Sequence, residues 1–265
     1  MIRLAHLSDM HLVDDPDGLV SGYDSTANLE AVIDAFAEPP DVAVVTGDIT
    51  EAAEPGAYET ARTTLRRLTG EVHYVPGNHD DPGAMRNILD AGHDLRMVEL
   101  SPRWTMALVS SAWEGHGEGR VEPATLAQLA DEVAAAGATN VLVCMHHPPL
   151  STCDYAYCRI DNRAEVMTAL TRMPGVRAVL SGHLHRRFDR EHRGLRLLGA
   201  PSTCRQLKHR RTPGHFTSTQ APPAAALVEL HDDGTIVNKT VVANRRQPGP
   251  YRRFLSQTLR PLASR

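Results

Sequence analysis

Asp9, His11, Asp48, Asn78, His79, His146, His147, His183 and His185 stand in five short polar clusters: DMH, GD, GNHDD, HHPP and GHLH. Each cluster directly follows an apolar run. A donor set of Asp, Asn and His without Cys suits metal ions of intermediate hardness, namely Mn, Fe, Co or Zn. One catalytic ion typically takes about three protein ligands and a water, so this set is too large for one ion. It suits two ions that share a bridging carboxylate. Residues i and i+2 of an extended chain point the same way, so Asp9 and His11 can grip one ion. His183 and His185 repeat that device. Gly47 lets the chain turn so that Asp48 projects from a strand tip, and Gly77 is expected to do the same for Asn78.

Such clusters are useful only if strands bring them together. The runs 2–11, 41–48, 71–80, 140–148 and 176–185 are rich in Val, Leu and Ile and end in the polar residues above. Between them, 26–37, 56–68, 122–136 and 163–173 carry apolar residues at helical spacing. Pro123 behind Glu122 fits the first turn of a helix. Nearly continuous apolar strands alternating with helices predict buried strands in an α/β fold. In such sheets ligands gather at the carboxyl ends of the strands, where every cluster falls. Further strands are expected at 103–111 and 195–202, and a hairpin across 224–243. Residues 208–223 read as a loop. The stretch 244–265 holds six arginines and no acidic residue and reads as a basic tail or docking segment behind a domain at 1–243.

Composition narrows the partners. The chain has 265 residues and a formal net charge of −4. A near-balanced charge gives no case for a stable nucleic-acid partner. No apolar run approaches the ~20 residues of a membrane span, and the start of the chain has no signal-peptide pattern, so the expected location is cytoplasmic. A homo-oligomer is left open. Four cysteines are too few for a disulfide scaffold; Cys153 and Cys158 read first as two thiols, with a labile disulfide between them as the alternative.

The ordered series D-x-H, G-D, G-N-H-D, H-H-P and G-H-x-H, from Asp9 to His185, resembles the calcineurin-like binuclear metallophosphoesterases. LSDMHLVDDPDG, GNHDDPGAMR, MHHPPL and GAPSTCRQL are similar to the class III cyclic-nucleotide phosphodiesterase branch. The resemblance implies a four-layer α/β/β/α sandwich and two divalent or mixed-valence ions. It implies Asp9, His11 and His185 on one ion, Asn78, His146 and His183 on the other, and Asp48 bridging. It implies an unligated His79 as proton donor or oxyanion stabiliser, with Asp80 orienting it and His147 supporting the ligands from behind. The implied reaction is hydrolysis of a small phosphodiester, most readily a 3',5'- or 2',3'-cyclic nucleotide, by in-line attack of a metal-bridging hydroxide. A glycerophosphodiesterase or phosphomonoesterase on the same site is the alternative. A non-catalytic interaction module should have lost a ligand or His79, and all are present. The segment 151–162 departs from the branch, and its Tyr155 and Tyr157 are expected to line a substrate pocket by stacking.

Other histidines lack this context. His6 and His73 lie inside strands and read as core or sheet-face residues. His116, in the Gly-rich EGHGEG, is a residue that could border the site.

Overall fold

Alternating apolar runs and helices fold into two sheets packed face to face. The computed structural model of the protein describes residues 1–137, 139–150, 156–209 and 216–245. The strands are β1 (Ile2–Leu7), β2 (Val42–Thr46), β3 (Val72–Val75), β4 (Leu95–Ser101), β5 (Trp104–Val109), β6 (Asn140–Cys144) and β7 (Val176–Ser181). They continue with β8 (Phe188–His192), β9 (Leu195–Gly199), β10 (Leu207–His209), β11 (Phe216–Ser218), β12 (Ala224–Leu230) and β13 (Ile236–Val242). The helices are α1 (Ser25–Asp34), α2 (Pro55–Leu65), α3 (Pro82–Leu89), α4 (Pro123–Ala135) and α5 (Arg163–Arg172).

One sheet has the order β13-β12-β1-β2-β3 and the other β4-β5-β6-β7-β9-β8. β1, β2 and β3 run parallel, as do β5, β6, β7 and β9, while the outer strands pair antiparallel. Each central strand is buried on both faces, which is why the sequence shows apolar runs instead of alternation. Leu4, Val44, Met106, Leu142, Leu180 and Val228 fill the space between the sheets. Ala5, Leu7 and Val45 turn the other way, against Leu29 and Val32 of α1 and Leu65 of α2. Val141, Val143 and Val179 face Leu129 of α4 and Leu170 of α5. The result is the four-layer α/β/β/α sandwich.

The helices expected at 26–37, 56–68, 122–136 and 163–173 form as α1, α2, α4 and α5, with Pro123 in the first turn of α4. Two expectations are corrected. α3 and the strands β4 and β8 carry little periodic signal and were not anticipated. The loop expected at 208–223 contains a small antiparallel ribbon in which Leu207 pairs with Ser218 and Lys208 with Thr217. Tyr155, Cys153 and the tail from 246 onward lie outside the described residues. Cys144 and Cys204 are free and buried, but Cys158 is disulfide-bonded, correcting the free thiol expected there; its side chain is buried, where a bonded sulfur needs no polar partner.

Candidate metal centre

The strand order brings the carboxyl ends of β1, β2, β3, β6 and β7 to one edge of the sandwich, and the five polar clusters follow those ends. The loops are zipped to one another. Asp9 N donates to Gly47 O (3.0 Å), His11 N to Asp48 O (3.0 Å), Gly182 N to His146 O (3.0 Å) and His183 N to the Asp9 carboxylate (3.0 Å). Asp9, His11, Asp48, His183 and His185 all have left-handed backbone, with φ between 47° and 67°. The extended i, i+2 geometry expected for the two D/H-x-H pairs is therefore wrong. The side chains converge because the backbone curls at each ligand position. Left-handed backbone costs an L-residue roughly 1–2 kcal/mol. A fold that repeats it at five clustered polar residues is holding a site in place.

Glycine enters for two different reasons. Gly47 has φ +84°, and a Cβ there would sit 2.5 Å from His146 Nδ1. Gly77 is not left-handed; a Cβ on it would run into the Asp48 carboxylate. Its role is close approach, not the turn expected for it.

Among the described residues three sets of donor atoms lie close together: Asp9, His11, Asp48 and His185; His146, His147 and His183; and His11, Glu51 and His79. In one, Asp9, His11, Asp48 and His185 each offer an atom, all within 4.8 Å of one another. His11 Nε2 and His185 Nε2 are 3.0 Å apart. The far nitrogens settle the tautomers: His11 Nδ1–H donates to Glu51 Oε2 (2.7 Å) and His185 Nδ1–H to Arg205 O (2.9 Å). Burial keeps both rings below the ordinary imidazole pKa. Two bare lone pairs therefore face each other, an arrangement that a cation between them turns from repulsive to binding.

In the second group His146 Nε2 lies 3.2 Å from Asn78 Oδ1, 3.2 Å from His183 Nδ1 and 3.4 Å from Asp48 Oδ2. Again the outer nitrogens are tied down, His146 Nδ1–H to Thr46 O (2.7 Å) and His183 Nε2–H to Tyr157 O (2.6 Å). Burial would lower the His146 pKa, but Asp48 and Asp9 outweigh it and lift it to about 9. A proton there occupies the centre of three acceptors, the place a cation would take. Burial pushes His183 down to about 3 and Asp9 up to about 7. Asp48 ends well below the usual carboxylate range, since His146, His79 and His11 together overcome its burial. The donor set fits two ions bridged by Asp48.

The sequence profile of the calcineurin-like phosphoesterase family matches residues 2–187. This chain belongs to that family. It is 31% identical over 244 residues to a 3',5'-cyclic-nucleotide phosphodiesterase of Nostoc sp., covering 90% of this chain and 91% of the relative. It is 29% identical over 245 residues to the 3',5'-cyclic adenosine monophosphate phosphodiesterase CpdA of Escherichia coli, covering 90% and 88%. The fold is that of a dimetal phosphatase from Danio rerio, with a TM-score of 0.64 at 16% identity over 91% of this chain and 99% of that one.

In this phosphoesterase His79 lines the same cavity as His11, Asp48, His183 and His185, and its ring makes a further close donor set with His11 and Glu51. Its ring packs edge-on against His11 with centroids 4.9 Å apart, its Nδ1–H donates to Glu51 O (2.7 Å) and its backbone N–H to Asp48 Oδ1 (3.0 Å). Burial alone would lower its pKa, yet Asp48, Glu51 and the Glu51 carbonyl raise it overall. Asp80 does not hold the ring as expected. It accepts from the amides of Ile49 (3.1 Å), Thr50 (3.2 Å) and Gly77 (2.9 Å) and from the Tyr58 hydroxyl (3.2 Å), tying the β2 and β3 loops together. His147 has both ring nitrogens engaged, by Ser111 Oγ (3.0 Å) and Gly117 O (3.2 Å), so it supports the neighbouring loop.

Two residues were missed. Glu51 holds both His11 and His79, yet in GDITEAAE it reads as a surface acid three residues past Asp48. Arg205, in the GAPSTCRQL stretch, anchors His185 through its carbonyl. A cleft of about 420 Å³ opens beside His79, walled by Asn78, His116, Tyr157 and Phe216. The His116 ring is held flat against Trp113, with centroids 3.5 Å apart and planes 3° off parallel. The Tyr157 ring lies against His183 with centroids 4.9 Å apart and planes tilted by 38°. His6 is buried and bonded to Thr46 Oγ1 (2.9 Å), and His73 pairs with Glu71 (2.9 Å), as their strand positions foretold.

Proposed function

We propose that this phosphoesterase hydrolyses 3',5'-cyclic nucleotides at a dinuclear centre of Mn, Fe, Co or Zn ions. Asp9, His11 and His185 would hold one ion and Asn78, His146 and His183 the other, with Asp48 shared between them. The observation that carries this reading is the convergence of Asp9, His11 and His185 on one side of Asp48 and of Asn78, His146 and His183 on the other, with a hydrogen-bonded His79 beside them. The relatives' printed activities favour the same substrate class.

When bound, two such ions supply a hydroxide near neutral pH and offset charge on the phosphoryl oxygens. The chain's own residues do the rest. Glu51 fixes the His79 ring through its carbonyl, so the proton on Nδ1 stays on that side and Nε2 faces the cavity edge. A protonated His79 donates from Nε2 to the ester oxygen as the phosphorus–oxygen bond breaks, which prevents departure of a bare alkoxide. Such donation is worth about 10²–10⁴-fold. The cleft walled by His116, Tyr157 and Phe216 takes the nucleoside. Its about 420 Å³ falls within the range of small-molecule sites, and flat rings suit a base better than a glycerol group. We take 1–243 as the catalytic domain, with the basic stretch 244–265 outside the chemistry. Among the described residues no helix is long and apolar enough to cross a membrane.

The test is turnover of a panel of 3',5'- and 2',3'-cyclic nucleotides, glycerophosphodiesters and monoesters after each metal is restored to stripped protein. The expected order puts 3',5'-cyclic nucleotides first. A preference for glycerophosphodiesters or monoesters overturns the substrate assignment.

A further inference from the structure

The five polar clusters follow β1, β2, β3, β6 and β7, which leaves the ends of β5 and β9 in the parallel core without a cluster. β9 ends at Gly199, and the chain then runs through Ala200-Pro-Ser-Thr-Cys to Arg205. That loop is built as tightly as the ligand loops. Ser202 Oγ donates to Asp9 O (2.8 Å) and accepts from the amides of Cys204 (2.9 Å) and Arg205 (3.0 Å). Thr203 N donates to Ser8 O (3.1 Å) and Leu207 N to His185 O (3.1 Å). Gln206 closes the loop by donating to Ser202 O (2.6 Å).

The effort fixes one charged side chain. Arg205 is only 8% exposed and lines the same cavity as His11, Asp48, His79 and His185. Its Nη1 is buried with no hydrogen-bond partner. Among the described residues no carboxylate makes an ion pair with it; Glu51 is close enough for the guanidinium charge to help lower its pKa, and the side chain Arg205 bonds is the Cys204 thiol, a weak acceptor. A buried guanidinium without an anion is costly unless the anion arrives with the ligand. Charge points the same way. With two divalent ions held as proposed above, the three negative charges of Asp9, Asp48 and Glu51 would stand against four positive charges and that of Arg205. The excess matches a hydroxide and a phosphodiester together.

We propose that Arg205 is a substrate-binding residue that grips the phosphoryl oxygens of the bound ester from the β9 side of the cavity. This rests on the phosphoesterase reading above and adds to it a recognition element outside the metal donors. The guanidinium offers a planar fork that matches two phosphoryl oxygens, which an ammonium cannot do.

The probes are inorganic phosphate, the product-like anion, and bis(p-nitrophenyl) phosphate, a diester that needs no nucleoside cleft. In the metal-loaded protein Arg205→Gln keeps both ions, weakens phosphate binding measured by calorimetry roughly 10- to 100-fold, and raises KM for the aryl diester by a similar factor with a smaller change in kcat. Arg205→Lys falls between, and it decides the matter if the Gln variant does not fold. Unchanged phosphate affinity in a variant that keeps both ions overturns the proposal. Loss of metal in step with phosphate binding, in both variants, also overturns it and makes Arg205 a support for Glu51 and His185. Should the wild-type enzyme cleave the aryl diester but no cyclic nucleotide, the substrate assignment fails while the phosphate titration still decides the role of Arg205.

Discussion

The two halves of the centre are built differently. The half made by Asp9, His11 and His185 has its own carboxylate besides the shared Asp48, and one of its imidazoles leans on a second carboxylate, Glu51. The half made by Asn78, His146 and His183 has a neutral amide in place of that carboxylate, and its imidazoles lean on the backbone carbonyls of Thr46 and Tyr157. Carboxylates bind divalent ions more strongly than amides, and a carboxylate behind an imidazole raises its basicity more than a carbonyl does. On the ligand assignment proposed above, the first half is expected to be the tight site and the second the exchangeable one. The second also borrows a carbonyl from the loop that walls the cleft, so its ligand His183 and the pocket are joined at Tyr157.

The contrast is broken most severely at its shared member. Asp48→Ala should empty both sites and lower turnover by about 10³-fold or more, beyond the 10–100-fold typical of residues behind the ligands. Metal analysis that still finds two ions per chain would remove Asp48 from the centre. Next, His79→Ala should keep both ions while turnover of an alkyl diester drops by roughly 10²–10⁴. An ester with a nitrophenolate leaving group should lose much less, and an equal loss on both would reassign His79 to holding the phosphate.

Metal titrations sharpen the comparison of halves. Asn78→Ala should weaken only the second ion, and Glu51→Gln chiefly the first, the latter by roughly 10–100-fold. Reversed selectivity would exchange the strong and weak sites.

The smallest expected effect concerns protons. In the metal-free protein burial raises Asp9 to about 7 and carboxylate neighbours raise His146 to about 9. Folding raises both, so the folded metal-free chain binds more protons than the unfolded one between the ordinary and raised values. Their contribution to its stability is full at low pH and fades as pH rises through about 7 for Asp9 and about 9 for His146. His11, His183 and His185 are shifted down by burial, and their contribution is lost only as pH falls below the ordinary imidazole range. Above that range the metal-free protein should melt progressively lower toward pH 9, while metal affinity climbs because fewer protons must leave. Calorimetry in buffers of different ionisation enthalpy should register net proton release near pH 7. Zero release would contradict the raised values.

The ligand order could be read from the chain because a buried parallel strand writes two signals at once, a β-branched run and the polar residues at its tip. The layers followed from the same runs. What the chain did not disclose is local conformation and distant pairing. Left-handed backbone at Asp9, His11, Asp48, His183 and His185 has only a weak residue-type marker, the enrichment of Asp and His there, and D-x-H and H-x-H spacing suits extended geometry equally well. α3 has one buried side chain, Met85, and β8 leaves its three middle residues exposed; neither makes a periodic pattern. Glu51 and Arg205 act through partners 40 and 20 residues away, His11 and His185, which spacing cannot reveal.

The curled ligand backbone also bears on how this enzyme can change. Every one of those five positions would be easier to build with glycine, at a saving of roughly 1 kcal/mol each. Asp9→Gly removes a buried carboxylate as well, at the cost of the acceptor for the His183 amide. Relief of the backbone is thus set against buried cavities and unpaired amides left behind, so the scaffold gains little by shedding these residues one at a time.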